Sequence, residues 1–160
     1  MIKGISKYSF LPIISLLLLL YGCNKEILYT DSVNIPSEIW SLDFTPEFNP
    51  AITDTTGICN IYFTIRTGTS FPYRNIWLFV NTISPSGKSI TDTLQYILAD
   101  EKGNWYGKGF GDIHELDLPF RTGIFFPEKG TYTFRVRQGM RNENLQGVYD
   151  LGLRISNIKK

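Results

Sequence analysis

Hydrophobic and polar positions alternate along much of this chain with the period of a half-buried strand. The clearest segment is 59–66, where Cys59, Ile61, Phe63 and Ile65 alternate with more polar residues. Successive side chains of a strand point to opposite faces of its sheet, so we expect this apolar set to face a core. The same period predicts strands in three further segments, 40–44, 132–136 and 149–155.

The middle of the chain is predicted to form a hairpin, over residues 75–98. Residues 76–80 are apolar at every position, which suits a central strand covered on both faces. Residues 84–87 (Ser-Pro-Ser-Gly) form a turn, because Pro85 presets φ and Gly87 accepts a left-handed conformation. Further turns are expected at 100–103 and 127–130, and one helical turn at 140–145.

These patterns indicate an all-β protein. No segment longer than about ten residues has a helical period, and turn signals recur at short intervals. We therefore expect residues 35–158 to form a single antiparallel β-sandwich of about eight strands. Both an immunoglobulin-like and a jelly-roll topology fit the pattern.

The first residues differ from the rest of the chain. Lys3 and Lys7 precede an apolar run over 10–21, which ends in Gly22 and Cys23. A basic start, a short apolar run and a small residue at the cut site indicate an export signal. As a helix the run would be about 18 Å long, shorter than a hydrocarbon core of about 30 Å.

The end of this leader is similar to a bacterial lipobox, in which the cysteine is lipidated and becomes the first mature residue. We therefore predict a signal peptide over 1–22, a lipidated Cys23 and a tether over 23–34. The lipid would anchor the protein on a membrane. The alternative is an ordinary secretory signal in which Cys23 occurs by chance.

Charge and cysteine content exclude some function classes. Loss of Lys3 and Lys7 with the leader changes the formal net charge from +1 to −1. Such a near-neutral surface argues against binding to nucleic acid. If Cys23 carries lipid, Cys59 has no partner within the chain and no disulfide is expected. We interpret Cys59 as a small buried apolar residue, the alternative being a reactive or intermolecular thiol.

The chain offers few groups for catalysis. His114 is the one histidine, and no zinc-binding or calcium-loop spacing accompanies it. We interpret it as a loop histidine rather than a ligand or a catalytic base. The glycine-rich segment 107–111 is similar to a phosphate-binding loop, but no helix pattern follows it, so a strand bulge or tight bend is favoured. We expect no enzymatic activity, no metal and no cofactor.

Trp105 and Tyr106 are candidates for an exposed aromatic contact. Neighbouring strand residues face opposite sides, so at least one of the two rings is expected at the surface. Aromatic residues in a strand-rich chain otherwise serve mainly as core.

The chain resembles a known family, the GldH gliding-motility lipoproteins of the Bacteroidetes. The likeness runs from the lipobox to the last strand. It is carried by several motifs, among them 73–79 (YRNIWLF), 84–88 (SPSGK), 103–113 (GNWYGKGFGDI), 130–134 (GTYTF) and 138–141 (QGMR).

The resemblance implies a non-catalytic envelope lipoprotein of the gliding machinery, linked to type IX secretion. Other envelope lipoproteins or motility proteins would be its partners. Asn24 after the lipobox cysteine fits sorting to the outer membrane, and we favour the periplasmic face.

The resemblance also raises the possibility of O-glycosylation, since exported proteins of that phylum are modified at Asp-Ser/Thr followed by a small apolar residue or Thr. Ser32, Thr55 and Thr93 each occupy such a site. Thr55 is the best candidate because its loop is the most polar.

The competing function is that of a glycan-binding envelope lipoprotein. An exposed coplanar aromatic pair beside polar groups would favour glycan binding. An apolar patch of several hundred Å² without such a pair would favour a binding subunit of a larger machine.

Overall fold

The structure, a computed structural model, describes residues 27–158 except for the side chain of Phe110. Within this range, short turns and one 3₁₀ turn (Pro36–Glu38) connect strands, and no helix is long and apolar enough to cross a membrane. The strands are β1 (Ile27–Asn34), β2 (Ile39–Ser41), β3 (Glu47–Phe48), β4 (Ala51–Ile52), β5 (Cys59–Gly68), β6 (Asn75–Ile83), β7 (Ser89–Ile97), β8 (Lys108–Phe110), β9 (Ile113–Ile124), β10 (Gly130–Thr131), β11 (Thr133–Gln138), β12 (Asn144–Gln146) and β13 (Val148–Asn157).

The strands form two main antiparallel sheets. One has five strands in the order β1-β13-β5-β9-β8, and the other has four in the order β3-β11-β6-β7. Two short pairs, β12-β2 and β10-β4, lie beside them. The prediction of an antiparallel β-sandwich is confirmed.

The core lies between the two main sheets. Ile61, Phe63 and Ile65 of β5 and Ile76, Leu78 and Val80 of β6 are almost fully buried. The ring of Phe120 on β9 meets that of Phe134 on β11 edge-on, with centroids 6.3 Å apart. Aromatic pairs in this geometry stabilise a core beyond their buried area.

Polar contacts also join the sheets, on the side where β7 faces β9. The Tyr96 hydroxyl on β7 donates a hydrogen bond to the carbonyl oxygen of Pro119 on β9, at 2.9 Å. Arg121 of β9 forms an ion pair with Asp92 of β7, at 2.7 Å. Together these two contacts tie β7 to β9 across the sandwich.

The predicted hairpin is confirmed as β6 and β7, which pair without a break from Asn75↔Ile97 to Ile83↔Ser89. Its turn closes with a hydrogen bond from the Gly87 amide to the Ser84 carbonyl, at 2.9 Å. Gly87 has a φ of +82°, as its position in the turn predicts.

The prediction of a tether over 23–34 is wrong from Ile27 onward. Residues 27–34 form β1, which pairs antiparallel with β13 at the edge of the five-stranded sheet. Only Tyr29 and Val33 of this strand pack on the core, four residues apart, so its sequence has no clear strand period. The signal peptide 1–22, Cys23 and residues 24–26 lie outside the described residues.

Two further elements differ from their predictions. Residues 140–145 do not form a helical turn: β12 (Asn144–Gln146) pairs with β2 instead. The strand predicted over 40–44 is confined to β2, because the chain turns so that the Trp40 indole nitrogen donates to the Phe44 carbonyl at 2.9 Å.

The outward face of β6 is less covered than predicted. β6 is central in its sheet, but Trp77 on this face is 38% exposed. The loop around Gly139 and Met140 packs beside Trp77 and covers this outward face only in part. The Gly139 amide donates a hydrogen bond to the Trp77 carbonyl at 2.7 Å.

Candidate functional site

His114 lies on β9, so its interpretation as a loop histidine is wrong. It serves as a packing partner. Its ring stacks on that of Trp105, with centroids 5.1 Å apart and planes 11° apart. Among residues 27–158, no group of three or more His, Cys, Asp or Glu side chains could hold a metal ion.

Cys59 is a free and buried thiol, 1% exposed, at the start of β5. Its sulfur lies 3.3 Å from the side-chain oxygen of Asn157. Burial raises the pKa of the Cys59 thiol, which disfavours the reactive thiolate. The interpretation of Cys59 as a small buried residue is confirmed.

The glycine-rich segment 107–111 forms β8 and the tight bend into β9. A Cβ on Gly109 would lie 2.0 Å from the Ile113 carbonyl oxygen, so a side chain is excluded by the neighbouring backbone. The preferred interpretation, glycines at a tight bend, is confirmed.

Trp105 and Tyr106 do not form one exposed pair. Tyr106 is 60% exposed, whereas Trp105 is half-buried, stacks on His114 and meets Phe71 edge-on at 6.1 Å. Tyr106 alone is therefore available to a ligand at this position.

The three predicted glycosylation sites occupy different environments. Ser32 is exposed in β1, Thr93 is exposed in β7, and Thr55 is half-buried in the loop before β5. In that loop the Thr56 amide donates to the Asp54 carboxylate at 2.8 Å. This contact and the Thr56 hydroxyl hold the pKa of Asp54 below its ordinary value. Modification of the three hydroxyls stays a prediction.

A polar depression lies on the outer face of the five-stranded sheet. Its middle is a cross-strand row of Ser32, Gly152, Thr64 and Asp117, one residue from each of β1, β13, β5 and β9. Gly152 has no side chain, so the row is low at its centre. The resulting depression has a volume of about 640 Å³.

An ion pair with one buried partner supports one side of the polar depression. Asp150, 4% exposed, accepts a hydrogen bond from the Arg66 Nε at 2.6 Å. This hydrogen bond raises the pKa of Arg66 above its ordinary value. Since a buried carboxylate needs a paired cation, Arg66 is fixed in place.

A second arginine is fixed on the other side. Arg154 donates to the Asp117 carboxylate at 2.6 Å, and its guanidinium lies 5.3 Å from the Tyr62 ring centroid. The Thr64 hydroxyl donates to the other oxygen of Asp117 at 2.9 Å. The depression thus presents preorganised charged groups on rigid strands.

An apolar cleft opens between the two sheets at one end of the sandwich, with a volume of about 340 Å³. The cleft is lined by apolar residues at the end of β9 and just after it, and by others from the core. These residues are Ile124, Phe125, Phe126, Ile61, Phe120, Tyr132 and Phe134. The Thr82 hydroxyl, another lining group, is buried without a hydrogen-bond partner. Glu128 at the rim accepts from the Ser86 hydroxyl at 2.9 Å, which lowers the pKa of Glu128.

A third feature is an aromatic depression of about 480 Å³ on the outward face of β6. Tyr73, Trp77 and Phe79 line it together with Met140 and Arg141. The Tyr73 hydroxyl donates to the Asn142 side chain at 2.8 Å, so this ring is held at the rim.

Comparison with known proteins identifies the chain. The family model described as GldH lipoprotein matches residues 27–155. The chain belongs to the GldH lipoprotein family. GldH relatives of similar length include the "Gliding motility lipoprotein GldH homolog" of Christiangramia forsetii, 31% identical over 157 residues, which cover 94% of this chain and 96% of the relative.

A second GldH relative is the "Gliding motility lipoprotein GldH" of Flavobacterium johnsoniae. It is 31% identical over 145 residues, which cover 86% of this chain and 89% of the relative. Among solved structures, a CBM35 module from Cellvibrio japonicus Abf62 covers 82% of this chain and 88% of the module, at 15% identity and a TM-score of 0.28. This TM-score is too low to carry an argument. GldH membership identifies a membrane-associated lipoprotein.

Sequence reasoning missed the polar depression and the cleft of this GldH protein. The outward polar positions of β5 and β13, such as Arg66 and Asp150, were visible as strand alternation. That Arg66 lies opposite Asp150 depends on the pairing of β5 with β13, across a long stretch of sequence. No local signal in the sequence gives that register.

Proposed function

We propose that this protein is a non-catalytic component of the gliding-motility envelope machinery, linked to type IX secretion. In this proposal a lipid on Cys23 anchors it in the outer membrane, with the domain on the periplasmic side. The supporting observation is the family match over residues 27–155, which is nearly the whole described domain.

The polar depression is the surface that we propose for contact with a protein partner. Arginine is enriched at the energetically important positions of interfaces, and rigid groups lose less entropy on binding. Arg66 and Arg154 are both held by carboxylates and remain partly exposed, 44% and 37% at the side chain. Four carboxylates and these two guanidinium groups line the depression, which suits a partner rich in hydrogen-bond donors.

The test is a pull-down from native membranes with a C-terminal tag. The native chain should retain other envelope proteins, and Cys23→Ala should lose them because the anchor is gone. Arg154→Ala should weaken the same associations while leaving the protein in the membrane. Arg135→Ala is the matched control, because Arg135 forms a comparable exposed ion pair with Glu47 on the other sheet, at 2.7 Å.

Loss of partners in Arg154→Ala but not in Arg135→Ala would support the polar depression as the contact surface. Equal retention in both variants would reject that surface while leaving the subunit role in place. A lipidated native chain that recovers no envelope protein would reject the subunit role itself.

The location has a separate test. Membrane fractionation should place the protein with the outer membrane, and protease added to intact cells should not cleave it. Cleavage in intact cells would move the domain to the cell surface and contradict the periplasmic orientation.

One observation favours the second candidate function, glycan binding. The aromatic depression combines the rings of Tyr73 and Trp77 with the polar Arg141, and Trp77 is 38% exposed. Exposed aromatic rings beside a polar group are the arrangement in which a ring stacks on a sugar. Binding of the purified protein to envelope polysaccharide should then be lost in Trp77→Ala and kept in Tyr106→Ala. Loss in Tyr106→Ala alone would place the contact at Tyr106, and no binding by the native protein would reject this function.

A further inference from the structure

Large apolar side chains are exposed together at one end of the sandwich. We call this surface the apolar end and define it by Ile27, Leu28, Ile58, Phe125 and Ile158. Their exposed fractions are 56%, 39%, 38%, 64% and 44%. Single exposed apolar residues are ordinary, but a cluster of this kind marks a contact surface.

The strand register places these residues at the same end. Ile27 at the start of β1 lies opposite Ser156, near the end of β13. Cys59 at the start of β5 lies opposite both Asn157 of β13 and Ile124 of β9. The Ile158 amide then donates to the Ile58 carbonyl at 2.7 Å. The apolar end is therefore formed where β1 and β5 begin and β9 and β13 end.

The apolar end is also the end nearest to Cys23. Four peptide units separate Cys23 from Ile27, so the two Cα atoms are at most about 14 Å apart. β13 has ten residues, so the opposite end of the sheet is about 30 Å farther away. A lipid on Cys23 would thus hold the apolar end, and no other part of the domain, beside the membrane.

This short connection decides between a bilayer and a protein as the occupant of the apolar end. A folded domain of about 100 residues has a radius of gyration of about 13 Å, and hence a thickness well above 14 Å. Such a partner does not fit between the apolar end and the membrane. Phospholipid, by contrast, is already there.

The apolar cleft opens at the same end. Phe125 belongs to both surfaces, and its neighbours Ile124 and Phe126 line the cleft. Apolar surface therefore continues from the exposed side chains into the space between the sheets. A membrane contact would remove both from water.

We propose that the apolar end lies in the headgroup region of the phospholipid bilayer that carries the anchor, so that the sandwich stands on the membrane with its strands rising from it. The inference rests on the lipidation of Cys23 in the proposed function. In this orientation the polar depression lies on the side of the standing domain, open to partners in the aqueous compartment.

The test measures lipid contact with spin labels on the full-length lipidated protein in phosphatidylethanolamine–phosphatidylglycerol vesicles. Phe125→Cys carries the label at the apolar end. Tyr106→Cys is the matched control, since Tyr106 is 60% exposed and its amide bonds to Leu98 just beyond the end of β7, at the opposite end. Cys59 is 1% exposed and does not compete for the label.

The label at 125 should collide more with membrane-soluble oxygen and less with a water-soluble nickel complex than the label at 106, with a several-fold difference in the ratio. Ile58→Cys provides a second position, so the result does not depend on one substitution. Equal nickel accessibility at all three positions would overturn the proposal. So would spin–spin broadening at 125 that grows with protein density, because a second copy would then cover the apolar end.

Mass spectrometry of the same samples separates this inference from the proposed function. A mature mass without lipid would refute the anchor and, with it, the orientation. A lipidated protein whose label at 125 is aqueous would refute the orientation alone.

Discussion

Gly147 combines a left-handed backbone conformation with close backbone neighbours. Its φ is +77°, and a Cβ placed there would lie 2.4 Å from the backbone nitrogen of Phe71. The Gly147 carbonyl accepts from the Gly68 amide, and its own amide donates to the Glu38 carbonyl, both at 2.9 Å. Backbone on three sides leaves no room for relaxation.

We therefore expect Gly147→Ala to lower the free energy of unfolding by more than about 3 kcal/mol, because a backbone clash adds to the cost of positive φ of about 1–2 kcal/mol. Gly87→Ala isolates the cost of positive φ, since Gly87 has a φ of +82° and no atom near the position of a Cβ. The free energy of unfolding of Gly87→Ala should therefore fall by only about 1–2 kcal/mol. Urea unfolding of both variants checks this, and equal losses would contradict the clash.

Single residues were predictable where their neighbours in sequence decide their environment. The turn around Pro85 sets the conformation of Gly87, and the alternation in β5 buries Cys59. Trp77 was misjudged because its exposure depends on a loop more than sixty residues later in the chain, the loop of Met140. The surroundings of Trp105 depend on His114, which the β8–β9 hairpin brings onto the Trp105 ring from nine residues later in the chain.

Among the strands, β1 shows what a local pattern leaves out. It is an edge strand with one neighbour, β13, and only Tyr29 and Val33 reach the core. Most side chains of such a strand are exposed to solvent, so its sequence need not alternate between apolar and polar residues. The pairing partner lies more than a hundred residues away, at Leu151 for Val33.

The pair Val33 and Ser32 tests whether β1 is part of the fold. Val33→Ala should cost about 1 kcal/mol, because a half-buried side chain loses two methyl-sized groups. Ser32→Ala, one residue earlier on the solvent face, should stay within about 0.5 kcal/mol. Chemical denaturation of the two variants decides the point. A free tether would make both substitutions neutral.

β9 escaped prediction for a different reason. Leu116, Leu118 and Phe120 alternate, but Pro119 lies between them and lacks the amide that a central strand uses. The structure accommodates it with irregular register between β9 and β5, next to the pair Tyr62↔Pro119. A bulge of this kind is fixed by the partner strand, which the local sequence does not reveal.

At the scale of the whole molecule, composition and turn spacing were enough for the class of fold, and sequence separation limited the rest. The β6–β7 hairpin joins strands that are neighbours in the sequence. By contrast, β13, the last strand, pairs with β1, the first strand, and with β5. The polar depression exists only once those pairings are made. Its candidate residues therefore became visible as a site only in three dimensions.

Contact between the two sheets should make stability depend on alkaline pH. The Tyr96 hydroxyl donates across the sandwich to Pro119, and burial raises the pKa of Tyr96 to about 12. In the unfolded chain a tyrosine titrates near pH 10. The folded state holds this proton more tightly, so its contribution is complete below pH 10 and is lost as the pH rises from 10 to 12.

The free energy of unfolding of the native protein should therefore fall between pH 9 and 11.5, with at most about 2–3 kcal/mol from Tyr96, because its ring is only partly buried. Tyr96→Phe should cost about 1 kcal/mol at pH 8 through the lost hydrogen bond, and should then decline less steeply. Burial also raises the pKa of Tyr29 and Tyr132, so some decline should persist. Urea titrations across this pH range give the comparison.

Tyr106→Phe, which changes a 60% exposed ring, is the control and should follow the native curve. Parallel curves for native protein and Tyr96→Phe would show that the sheets are not coupled through this proton.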